Sequence, residues 1–206
     1  MLAANTKRSR TQQDFDELQV TPTTSLQLIS STWRHRTILF VDIESFTQKC
    51  ALMKPQLAGE WVQHLYTTVK QLCTSHNVLY IETRGDCCVC CTPALGNVQS
   101  ILLLASNLER ETYVTHCLRM GMCTGDVNVL EGEDFLAVFG ETSELADKMQ
   151  SLARPGRMMV HYSSTSQWAK ETNNKKPFCN SNMEAAEYSL AKGFFIANSG
   201  RTASSP

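Results

Sequence analysis

Two strand-like runs, residues 78–82 (VLYIE) and 87–91 (CCVCC), are separated by only Thr83, Arg84, Gly85 and Asp86. A polar link that short, containing a glycine, reads as a hairpin, so at least one pair of strands is antiparallel. Elsewhere strands and helices alternate. Residues 37–41 (TILFV) form a β-branched and aromatic run ending on Asp42, as expected of a buried strand that delivers a carboxylate at its edge. Pro55 suits a helix start, and Leu57, Trp61, Leu65, Val69 and Leu72 recur at helical spacing as far as His76 and Asn77. Val98, Ile101, Leu102, Ala105 and Leu108 mark a second helix. Residues 117–123 read as a strand with Thr124 and Gly125 as its turn, 135–139 as another strand, and 142–152 as a third helix. A strand at 157–161 follows the turn at Pro155 and Gly156, and a helix near 165–170 and a strand near 189–197 come last. This order predicts the α+β class, a mixed, mostly antiparallel sheet with helices packed on it.

A length of 206 residues accommodates one domain with tails. Residues 1–33 are polar and aperiodic and read as a flexible leader, 34–200 as the domain, and 201–206 as a disordered tail. With 19 basic and 20 acidic residues the formal net charge is −1, so no global field points to nucleic acid or an anionic membrane, and an anionic ligand needs a local site. The sequence has no apolar stretch of membrane-spanning length and no signal-peptide pattern, which predicts a cytoplasmic domain without direct membrane insertion. Four of the nine cysteines are packed as Cys87, Cys88, Cys90 and Cys91. On a strand they alternate sides and cannot converge on one tetrahedral zinc, so they read as small buried apolar residues.

Asp42 and Asp86, each at a strand end, could converge on hard cations, or each could serve a local turn. The wording around them favours the first. The segment ILFVDIESFT resembles the first metal-binding motif of the class III adenylate and guanylate cyclases. YIETRGDCCVCC resembles the second, in the same order and at the family's usual separation. LRMGMCTGDV and FLAVFGETSELADKMQS resemble, more loosely, the strands and helix that follow. The resemblance implies the ferredoxin-like class III cyclase fold, two domains paired head to tail, and a nucleoside triphosphate bound at their interface. It implies that Asp42 and Asp86, with the Ile43 carbonyl, hold two Mg2+ or Mn2+ ions. It also implies that the backbone amides of Glu44, Ser45 and Phe46 cradle the triphosphate, with Lys192 as a further phosphate contact or a plain surface lysine. Glu82 stands where guanylate cyclases read guanine, and Ala137 at the second base-reading position, which favours GTP over ATP.

One part departs from the family. The helix positions that carry a ribose-orienting Asn and a transition-state Arg in active members hold Glu144 and Lys148 here. At this spacing the two also suit a helix-surface ion pair. Keeping both aspartates while losing that pair resembles the α subunit of nitric-oxide-sensitive guanylate cyclases. This implies a second cyclase domain as partner, in a homodimer or, more in keeping with the pattern, a heterodimer. The alternative is a catalytically inactive, cyclase-shaped regulatory module.

Overall fold

A computed structural model describes residues 28–93, 98–112, 115–161 and 185–189. Its centre is β1 (Ile29–Ile43), paired antiparallel on one side with β4 (Leu118–Glu131) and on the other with β3 (Cys87–Cys91). The hairpin expected from the sequence joins β2 (Leu79–Arg84) to β3. Its loop is only Gly85 and Asp86, because Thr83 and Arg84 remain in the ladder and Gly85 takes the turn at φ +64°. The sheet continues from β4 to β6 (Arg157–His161) and β7 (Ala185–Ser189), and β5 (Leu136–Phe139) pairs with β4 off this path. Of these pairings only β4 with β6 is parallel. The α+β class with a mostly antiparallel mixed sheet is thus observed.

Strand alternation divides the core between the two faces of the sheet. Leu39, Val41 and Ile43 join a cluster with Leu65, Val69 and Leu72 of α2 (Pro55–Ser75) and Ile101, Leu104 and Leu108 of α3 (Val98–Thr112). Ile38 and Phe40 point the other way and pack with Val89, Cys91, Val127, Val138 and Ala146, the last from α4 (Glu141–Leu152). The cysteine run follows the same rule: Cys88 and Cys90 lie in the first cluster and Cys91 in the second. Burial pushes the Cys88 and Cys91 thiols up to about 12, which leaves them protonated and unreactive. No described helix is long and apolar enough to cross a membrane.

Several expectations are corrected. β1 begins at Ile29, inside the stretch read as leader, because Ile29 to Trp33 pair with Glu131 to Val127. Thr124 and Gly125 form no turn and lie mid-ladder opposite Thr37 and Arg36, with a buried Thr37–Thr124 hydroxyl contact of 2.9 Å. The irregularity falls instead on β1 between Trp33 and Arg36, where His35 has φ +46° and its amide donates to Asp126 at 3.1 Å. A short helix not read from the pattern, α1 (Phe46–Ala51), precedes α2. The leader up to residue 27, the helix near 165–170, residues 190–197 of the last expected strand and the tail at 201–206 lie outside the described residues.

One glycine-dependent contact locks α4 onto the sheet. A Cβ on Gly121 would run into Gln150 N and Ala146 O, so only glycine lets the backbone of α4 rest directly on β4. Gly156, at φ +69°, lies beside Glu109, whose carboxyl is buried without a hydrogen-bond partner among the described residues. Burial pushes this carboxyl above its usual range. Gly121→Ala is therefore expected to destabilise the fold by about 3 kcal/mol or more, read from the denaturation midpoint, because backbone rather than a flexible side chain must move. For Glu109 the native state binds a proton that the unfolded chain releases, so its contribution falls as pH rises through the window above the ordinary carboxylate value. Glu109→Gln should raise the melting temperature at neutral pH, and the gain should vanish in acid.

Candidate active site

Asp42 sits near the C-terminal end of β1, on the α4 side of the sheet, and is 9% exposed. The β1–β4 register sets Arg119 opposite it. Arg119 Nη2 donates to Asp42 Oδ2 at 2.5 Å, and Gln150 Nε2, reaching across from α4, donates to the same oxygen at 2.8 Å. Gln150 can do so only because α4 lies against Gly121. The β1–β3 register, with Val41 opposite Cys88, carries Asp86 of the hairpin loop to the same end. Tyr66 pins that loop through a hydrogen bond from its hydroxyl to the Gly85 carbonyl.

The two carboxylates line one open cleft of about 330 Å³ with Ile43, Ser45, Phe46 and Arg119. Burial, then a hydrogen bond that the protonated Asp86 donates to Asp42 and the charge of Asp42, push Asp86 up to about 6, while Arg119 acts in the opposite direction. The crowding of two carboxyls at one end of the cleft is relieved by a divalent cation. The donors offered are hard oxygens with no soft ligand in the cleft, which suits Mg2+ or Mn2+. Among the described residues no group of three or more His, Cys, Asp and Glu side chains is placed around one metal position. Two carboxylates, completed by phosphate oxygens and water, are nonetheless the usual set for Mg2+. Arg119 also has a buried Nε without an acceptor among the described residues, so its guanidinium keeps capacity for an anion.

The amides expected to cradle the phosphates are only partly available. Glu44 N–H donates to the Cys117 carbonyl at 3.1 Å, which removes it from that role. Ser45, at φ +55°, turns the chain into α1 and donates its hydroxyl to Glu44 Oε1 at 2.5 Å. That hydroxyl, ahead of Lys49, holds the Glu44 carboxyl below its usual range despite an opposing contribution from burial. Phe46 begins a stack that continues through Trp61, with centroids 6.1 Å apart, to His116 at 5.2 Å from Trp61.

Glu82 and Ala137 line a second cleft, of about 650 Å³, walled by β2 and the β4–β5 hairpin. It shares no lining residue with the first. Glu144 and Lys148 lie exposed on α4 and form no ion pair with each other; the pair expected from their spacing is absent because both heads are solvated. Lys192 lies outside the described residues.

Three residues that the sequence reading passed over act on these clefts: Arg119 lines the first, and Gln150 and Arg84 bond to Asp42 and Glu82. Each left a trace. Arg119 is a charge inside an apolar strand pattern, Gln150 falls one turn after Ala146 on the apolar stripe of its helix, and Arg84 stands two residues beyond Glu82 on the same face of β2.

Residues 29–192 match the family model described as the adenylate and guanylate cyclase catalytic domain. The chain is 28% identical over 142 residues to soluble guanylate cyclase gcy-31 of Caenorhabditis elegans, covering 60% of this chain and 20% of that protein. It is 30% identical over 145 residues to guanylate cyclase 2G of Mus musculus, covering 62% of this chain and 13% of that protein. The chain thus spans a fifth or less of the length of these relatives. Its fold is similar to the dimeric guanylyl cyclase domain of the RhoGC fusion protein of Blastocladiella emersonii, with TM-score 0.68, 17% identity and coverage of 77% and 95%. It is also similar to the guanylate cyclase domain of RhGC from Catenaria anguillulae solved with GTP, with TM-score 0.62, 18% identity and coverage of 66% and 83%. With most of its length matched by the family model and its fold shared with solved cyclase domains, this chain belongs to the adenylate and guanylate cyclase catalytic domain family.

Proposed function

We propose that this chain supplies the metal-holding half of a guanylate cyclase site that a second cyclase domain completes, and that it works in the cytoplasm. The observation that carries this reading is the meeting of Asp42 and Asp86 beside Arg119 in one cleft. The reaction would convert GTP to cyclic GMP and pyrophosphate. The ribose 3′-oxygen bonds to the α-phosphorus as it loses its proton, and the bond to the β-phosphate oxygen breaks. Divalent ions held by Asp42, Asp86 and the Ile43 carbonyl would supply charge neutralisation and activation of the hydroxyl. Arg119 and Gln150 fix Asp42 through one oxygen and leave Oδ1 for a ligand. Arg119 offers its remaining donors to the phosphates, and the Ser45 and Phe46 amides line the entry. GTP is the favoured nucleotide because the relatives named above are guanylate cyclases.

A partner is part of the reading. Glu144 and Lys148 stand where the family needs Asn and Arg; a carboxylate repels the triphosphate, and Lys lacks the planar fork of Arg. The second cleft is also separate from the first, so a nucleotide held by Asp42 and Asp86 would take its base contacts from another domain. The alternative, a regulatory module without turnover, draws its support from Glu144. A heterodimer with a complementary chain is favoured over a homodimer.

The purified chain alone is expected to turn over GTP at least about 100-fold more slowly than a mixed complex with a domain carrying the Asn and Arg, because transition-state stabilisation is missing. In that complex Asp42→Ala or Asp86→Ala should abolish Mn2+-dependent cyclic GMP formation while sedimentation still reports the dimer. Full activity in either variant would make the carboxylates structural.

A second expectation needs no partner. Asp86 takes up a proton on folding, so its stabilising contribution is full below the unfolded value of 3.8, declines as pH rises towards about 6, and stays low above that. In metal-free buffer Asp86→Asn should melt higher than the parent at pH 7 and equal to it in strong acid. Added Mn2+ should raise the parent's melting temperature and leave the variant's unchanged.

A further inference from the structure

The edge of guanine that a carboxylate reads is itself a guanidine: two N–H groups, on N1 and N2, flank one carbon. Arginine presents the same array with a permanent charge. Arg84 turns that array on Glu82. Its Nε and Nη2 donate to Glu82 Oε1 at 2.9 and 2.5 Å, Nη2 also donates to the Val138 carbonyl at 3.2 Å, and the guanidinium lies over the Phe40 ring at 5.6 Å from its centroid. Val138 directly follows Ala137, so Arg84 straps together the two walls of the second cleft at the positions expected to meet a base.

Resting on the reading of this cleft as a base site, we propose that Arg84 is a specificity-determining residue: it occupies, from within the chain, the carboxylate that a guanine would need. A neutral base must displace a charged guanidinium that is already tethered by its own backbone and held by two further contacts. The features lost on this chain then fall together. Arg84 on Glu82, Ala137, Glu144 and Lys148 all weaken the base and ribose half, while Asp42, Asp86 and Arg119 keep the metal half whole. Discrimination between nucleotides would rest with the partner.

The side chains of Arg84 and Glu82 are 47% and 26% exposed, so solvent screens the pair and the effect is modest. The test is fluorescence titration of the full chain, in Mn2+, with N-methylanthraniloyl GTP and the matching ATP derivative. Arg84→Leu should bind the GTP derivative about two- to fivefold more tightly, with the ATP derivative unmoved. Combining it with Glu82→Gln should erase the gain. Arg84→Lys, which keeps the charge and stem without the fork, should move in the same direction by less, and it decides the matter if Arg84→Leu does not fold. Unchanged or weaker binding of the GTP derivative in these variants overturns the inference. Glu82→Gln, alone and combined with the Arg84 variant, then separates the two levels: a lower GTP-to-ATP preference keeps the cleft as a base site, and no change removes that reading as well.

Discussion

The antiparallel ladder between β1 and β4, running from Ile29 opposite Glu131 to Ile43 opposite Leu118, fixes the position of both clefts. Its register sets Asp42 against Arg119 at one end. Towards the other end β4 pairs with β5, and that hairpin forms a wall of the second cleft. Because side chains alternate along a strand, slipping this ladder by one residue would turn Asp42 into the apolar layer under α2 and α3 and expose Leu39 and Val41 to α4. The many buried apolar residues on both faces make such a slip very costly. The geometry of the first cleft and the packing of the core are therefore set by the same register.

Placing a carboxylate in a nearly closed position is unfavourable unless it is paired. Asp42 is paired twice, with a cation from the neighbouring strand and an amide from a helix, and both donors meet on one oxygen. The cation makes the ionised form tolerable, and the neutral amide adds orientation without further neutralising the site. Asp86, more open and facing Asp42, bears the strain of the crowded pair and is the carboxyl whose proton is held back. Gly121 belongs to the same arrangement, since α4 could not bring Gln150 to Asp42 over a larger residue.

The two clefts have been treated unequally. In the first, opposite charges are arranged with donors and acceptors left over for a polyanion and its cations. In the second, Glu82 is satisfied inside the chain by Arg84. Glu144 and Lys148, exposed on α4, neither pair with each other nor restore the groups expected there. The proposed division of labour between two domains rests on this distribution of charge and requires no change of fold.

The sequence by itself determined most of the elements and the placing of Asp42 and Asp86 at neighbouring strand ends. The hairpin was legible because a glycine in a four-residue polar link leaves little choice, α2 and α4 because their apolar periods are clear, and the cysteine run because alternation splits it between faces. Asp42 and Asp86 were legible because they stand at strand ends inside distinctive wording. Tertiary structure decided what depends on residues far apart. Thr124 and Gly125 look like a turn locally, yet the ladder with β1 holds them extended, with Gly125 facing Thr142. The Glu44 amide looks free at the head of a helix, yet it is taken by the carbonyl of Cys117, 73 residues on in sequence. Arg119 and Gln150 acquire their role only when two strands and a helix converge on Asp42, 77 and 108 residues away in the chain. Local propensity acts over a few residues, whereas hydrogen-bond partners and charge pairs are chosen by the register and by the distance of closest approach between layers, which no short window of sequence contains.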